Sequence, residues 1–165
     1  MQDNNDRGAV NVTDRFSIFV AHTQVLVHLA HHPRPGLIWT DAHVAQGFAW
    51  ADGVVSFGVP DHDGPCLIEV QPFDSGALMA DALWAVQVPF EVTETLMIGT
   101  LFDMRPVNIP VGQCNLVFEA LAGRDDHAFV FNLKFVKTDR PDFAILRQGD
   151  ALTTDVVLRK LAELA

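Results

Sequence analysis

The apolar positions of this chain come in short bursts at a period of two, separated by turn-forming residues. The clearest burst is AFVFNLKFVK, residues 128–137, in which Phe129, Phe131, Leu133 and Phe135 fall on one face of a strand. Residues 16–29, FSIFVAHTQVLVHL, are rich in β-branched and aromatic side chains, and Val25, Val27 and Leu29 alternate within them. Residues 54–59 and 66–71 read as two strands joined across the loop DHDGP, which predicts a hairpin. Residues 84–90 and 92–102 continue the β pattern, with Pro89 marking an edge or a bend. Further on, the pattern predicts a turn over 103–106, a short strand over 107–109 and a strand over 114–121. GRDDH, residues 123–127, reads as a hairpin loop, and residues 143–147 as a last strand.

Two stretches depart from the period of two. In DAHVAQGF, residues 41–48, Thr40 or Asp41 can cap a short helix and Gly47 can close it in the left-handed conformation. Asp52-Gly53 then forms a turn. Residues 154–165 read as a second, C-terminal helix, with Val157, Leu158, Leu161, Ala162 and Ala165 near one face, although TTDVVL at its start also reads as β. Residues 72–83 are irregular, with room for a helical turn or two. Many short strands at near-regular spacing predict a mainly β fold, an antiparallel β-sandwich or a flattened barrel. The expected organisation is a flexible N-terminal arm over 1–12 and a single β domain over 13–165.

Composition narrows the class. A chain of 165 residues supports one domain with a real core, and burial of ~70% of its unfolded surface makes disulfide staples unnecessary. Cys66 and Cys114 both lie in apolar runs and read as reduced core thiols. The polar N-terminal stretch has no signal-peptide h-region, and no run reaches the roughly 18 apolar residues of a membrane span. A cytoplasmic protein is expected, associated with a membrane only through a partner. The net charge of −10 argues against direct nucleic-acid binding, which needs a basic footprint, and is permissive for a basic protein partner.

No pattern in the chain announces a reaction. The seven histidines invite a metal site, but His28, His31 and His32 lie in strand and loop contexts, with no HxH-Glu set. Asp61/Asp63 and Asp125/Asp126 are paired carboxylates, yet each pair lies in a glycine-containing loop where aspartate stabilises turns. There is no GxSxG, no papain-like cysteine context and no P-loop. No catalytic residue, metal ligand or cofactor is therefore expected.

WTDAHVAQGFAWADGVVSF (residues 39–57), VPFEVTE (88–94) and IPVGQCNLVFEAL (109–121) together resemble the competence protein J family. The first segment is the specific one: Trp-Thr-Asp, a short helix, Gly-aromatic-Ala, then Ala-Asp-Gly and a β run. The resemblance extends over about residues 16–137. It implies a small acidic protein that inhibits or modulates a DNA-entry nuclease. The chain departs from the family in lacking tyrosine and in carrying a histidine-rich loop at 28–32.

The reading that follows is a non-enzymatic protein that binds and restrains a basic nuclease through acidic loops and an aromatic anchor. Asp61 and Asp63 are the candidates for charge, and Trp39 and Trp50 for anchoring, against a core-packing role for at least one tryptophan. A homo-oligomer is compatible with the sequence. Two other classes remain open: a metal-dependent or sugar-processing β-barrel enzyme using the histidines, and a small-ligand or carbohydrate-binding sandwich with a tryptophan in a concave site.

Overall fold

The computed structural model describes residues 14–20, 23–72, 75–100, 102–149 and 158–164. Among them run eleven strands and one helix: β1 (Asp14–Ile18), β2 (Gln24–Leu29), α1 (Asp41–Gln46), β3 (Phe48–Ala51), β4 (Val54–Gly58), β5 (Cys66–Gln71), β6 (Trp84–Val92), β7 (Leu96–Thr100), β8 (Asp103–Val107), β9 (Gly112–Ala122), β10 (Phe129–Lys137) and β11 (Ala144–Arg147). They form a six-stranded sheet, β1-β5-β10-β9-β6-β11, and a five-stranded sheet, β3-β4-β2-β7-β8. The two face each other as a sandwich with open edges, not as a closed barrel. Every pairing is antiparallel except β5 with β10.

The core lies between the sheets and is made by the alternation that the sequence shows. Phe131, Leu133 and Phe135 of β10 are buried, as are Leu116 and Phe118 of β9 and Phe57 of β4. Phe57 stacks on Phe118 across the two sheets with ring centroids 4.4 Å apart, and Phe118 stacks in turn on Phe131 at 5.0 Å. Cys66 and Cys114 are free, buried thiols in this core, and burial pushes each up to about 11.

Several expectations hold. Thr40 caps α1, Gly47 closes it at φ 86°, and GRDDH joins β9 to β10 as a hairpin. Others are corrected. The β-rich run over residues 16–29 divides into β1 and β2, which belong to different sheets. β4 and β5 do not form a hairpin, because the loop between them crosses from one sheet to the other, and β5 pairs with β1 and β10 instead. Residues 103–106 are not a turn. They form most of β8, an edge strand on which Pro106 is tolerated because only one side needs pairing. Phe48–Ala51, for which the sequence predicts no element of its own, is strand β3.

At the C-terminus, residues 158–164 are not helical. They run extended beside β3, with Leu164 bridging Leu37 and the Ala162 N–H donating to the Trp50 carbonyl. Gln46, fully buried at the end of α1, holds them by donating from Nε2 to the Arg159 carbonyl and accepting the Arg159 N–H on Oε1. The rest of that expected helix and the expected N-terminal arm lie outside the described residues.

Candidate functional site

Strand directions sort the loops into two ends. β1, β4, β7 and β9 run toward one end, and β2, β5, β8 and β10 start from it. That upper end gathers Phe19, Val20 and Thr23, the 59–65 loop, Phe102 and the 123–128 loop. Hydrogen bonds stitch it together. The Val59 N–H donates to the Thr23 carbonyl, the Gly58 N–H to the Gly47 carbonyl and the Ala128 N–H to the Pro65 carbonyl. Ser17 Oγ lies 2.6 Å from His127 Nε2, which ties β1 to the 123–128 loop.

Asp61 and Asp63 lie exposed in the 59–65 loop. The loop is held from below by His62. Its Nδ1–H donates to the Pro60 carbonyl at 2.8 Å, which leaves Nε2 to accept from the Cys66 thiol at 3.1 Å. With its thiol pushed up to about 11, Cys66 acts here as a buried donor and not as a nucleophile. Asp61 lines a shallow hollow with Val20, Thr23, Pro60 and His62.

A deeper apolar hollow of about 270 Å³ adjoins it, sharing Thr23 and Pro60. Its walls include Trp39, Val44, Val59 and Trp84. Trp39 is half-buried, and its six-membered ring covers Gly58, where an added Cβ would lie 3.3 Å from the ring. Behind Trp39, the buried His43 meets it edge-on at 6.2 Å. The Thr40 N–H donates to His43 Nδ1 at 2.9 Å, so His43 takes the place that Glu or Gln fills in a capping box.

The structure therefore brings Trp39 and the Asp61–Asp63 loop to one end. Trp50 is elsewhere. Its Nε1–H donates to the Pro89 carbonyl at 2.7 Å, and its ring meets Phe143 edge-on. It lines a different, more polar hollow at the lower end with Leu29, Asp52, Pro89, Glu91 and Gln113. There the His31 ring also bonds Glu94 at 2.6 Å, which raises the His31 pKa and lowers that of Glu94.

His28 and His32 are used in separate hydrogen bonds. His28 reaches the Leu29 carbonyl, and His32 reaches the Asp52 carbonyl while accepting the Arg34 N–H. Among the described residues, no three His, Cys, Asp or Glu side chains converge as a metal site. No helix among them is long and apolar enough to cross a membrane.

Sequence reasoning passed over three features of the upper end. Phe19 and Val44 are 71% and 62% exposed. Asp125 and Asp126, read as turn formers, are exposed at the same end as Asp61 and Asp63. The period of two held part of this signal: Ile18 points into the core, so Phe19 must point out.

A family model described as Competence protein J matches residues 17–136. Among solved structures, the chain is similar to the crystal structure of ComJ, inhibitor of the DNA degrading activity of NucA, from Bacillus subtilis. The two share 22% sequence identity with a TM-score of 0.69, over 79% of this chain and 99% of that one. No curated protein sequence gives a significant match.

Proposed function

The chain belongs to the competence protein J family, and from that premise we propose that it is a non-enzymatic binding protein that restrains a basic nuclease. The observation that carries this reading is the upper end of the sandwich. There Trp39 walls an apolar hollow beside the exposed carboxylates of Asp61 and Asp63. Interfaces of this kind place a buried aromatic or apolar anchor inside a polar rim, with charge guiding encounter. The related structure is of a protein that inhibits NucA, and the fold shared with it supports the same use here. In this reading Trp50 packs the lower end of the sandwich and Trp39 supplies the anchor wall.

The test is a titration of the full chain into NucA while DNA cleavage is followed. Cleavage should fall to a plateau near one equivalent, and Asp61→Lys/Asp63→Lys should require much more protein for the same effect. Undiminished cleavage at large molar excess of the wild-type chain would exclude the reading.

A further inference from the structure

We propose that the docking surface reaches beyond the Asp61–Asp63 loop: Phe19, Val44 and the Asp125–Asp126 loop complete it, and the hollow walled by Trp39 takes one apolar side chain from a basic protein partner. This rests on the nuclease-binding reading above and specifies how the partner is held.

The size of the hollow points to a side chain. At about 270 Å³ it falls just below the roughly 300 Å³ at which pockets begin to suit whole small ligands. Its walls are mainly apolar, with Trp39, Val44, Val59, Pro60 and Trp84 beside Thr23 and Gln24. Two exposed apolar groups lie at this end of the sandwich. Val44 is itself a wall residue, and Phe19 precedes Val20, which lines the adjoining hollow with Asp61. Exposed apolar side chains at the end that carries an apolar socket are what a partner covers.

Charge selects a basic occupant. Asp61 and Asp63 stand on one loop and Asp125 and Asp126 on the other, and the Ala128–Pro65 backbone bond keeps the two loops together. The basic groups nearby are already engaged. Arg124 bonds Glu69 at 2.7 Å, and Arg105 bonds Asp103 at 3.1 Å. The lower end differs, since there Arg34, Lys137 and Arg140 are interspersed with Asp52, Glu91, Asp139 and Asp142. A cationic surface therefore meets, around the upper hollow, four exposed carboxylates with no Lys or Arg interspersed among them in either aspartate pair.

Calorimetric titration of full-length variants into NucA tests the surface, with the cleavage assay run on the same samples. Phe19→Ala and Val44→Asp alter exposed side chains and leave the core untouched. Asp125 has φ 55°, so the charge variant is Asp125→Asn/Asp126→Lys, which keeps at that position a residue tolerant of the left-handed region. Each of the three should weaken binding by about tenfold or more. Glu91→Lys, which changes the charge by about +2 against about +3 for the Asp125–Asp126 variant, and Val111→Ala, both at the lower end, should bind as the wild type does. Tight binding by the three upper-end variants would overturn this surface while leaving the nuclease reading intact. Equal weakening by Glu91→Lys and Asp125→Asn/Asp126→Lys would overturn it too, because net charge alone would then account for the effect. If the wild-type chain itself gives no heat and no inhibition, both readings fall together.

Discussion

His43 lies at the third position of α1, 1% exposed, with the Thr40 N–H on its Nδ1. That bond makes Nε2 the protonated nitrogen of the neutral ring. Burial, reinforced by the positive charge of Arg159, holds its pKa below the usual 6.5. The unfolded chain therefore binds a proton before the folded one as pH falls. The stability that His43 contributes is fully present above the unfolded pKa and drains away as pH drops through the folded one. His43→Gln keeps an acceptor for the cap and removes the titration. Between about pH 7.5 and pH 5.5, urea midpoints of the wild type should fall further than those of His43→Gln. Equal losses would assign the acid sensitivity to other groups. The capping geometry around this residue was legible in the sequence because Thr40, Asp41 and Gly47 are local signals. Its burial was not, and neither was the exposure of Phe19, since an apolar run such as FSIFV shows its period but not what stands opposite it.

At the scale of elements, the outer face of the larger sheet carries a buried ionic cluster beneath the segment 75–83. Glu119 and Lys134 are 0% and 3% exposed and lie 2.9 Å apart. Glu119 also accepts the Met79 N–H at 2.6 Å and an Asn132 N–H at 2.7 Å, while Lys134 donates to the Ala77 carbonyl. From β11, Arg147 donates to the carbonyls of Met79, Ala80 and Ala82. A segment without regular structure is thus pinned by side chains from three strands. Glu119→Gln strands the Lys134 ammonium in the interior and should cost about 3–5 kcal/mol in urea unfolding. Adding Lys134→Met should recover a large part of that loss, because the stranded charge is gone. Strictly additive losses would show that the two residues do not act as a pair. The same non-locality explains which elements the sequence concealed. β10 and the β9–β10 hairpin follow from period and turn residues alone. The partners of β5 do not, because a strand buried on both faces fits either sheet. β8 was hidden by Pro106, and the extended path of 158–164 by an apolar spacing that suits a helix equally well.

For the whole molecule, a charge of −10 and a small apolar socket act on different steps of association. Carboxylates exposed to solvent attract a cationic partner over roughly a Debye length, about 8 Å at physiological salt, and so act before contact. Once the surfaces meet, dissociation depends on groups removed from water, which in the proposed complex include a side chain seated between Trp39, Val44 and Trp84. The two contributions should separate in a stopped-flow experiment with NucA. Raising salt from about 0.05 M to about 0.5 M should slow association by about tenfold or more while the dissociation rate changes little. Val44→Asp should do the reverse, speeding dissociation and leaving the salt dependence of association close to that of the wild type. The reversal follows from where the residues lie: one added carboxylate barely changes a field already set by many, whereas a charge in the socket wall would have to be desolvated each time the complex forms. A salt effect carried mainly by dissociation would place the carboxylates inside the contact, and the upper end would then bind through ion pairs with the socket left empty.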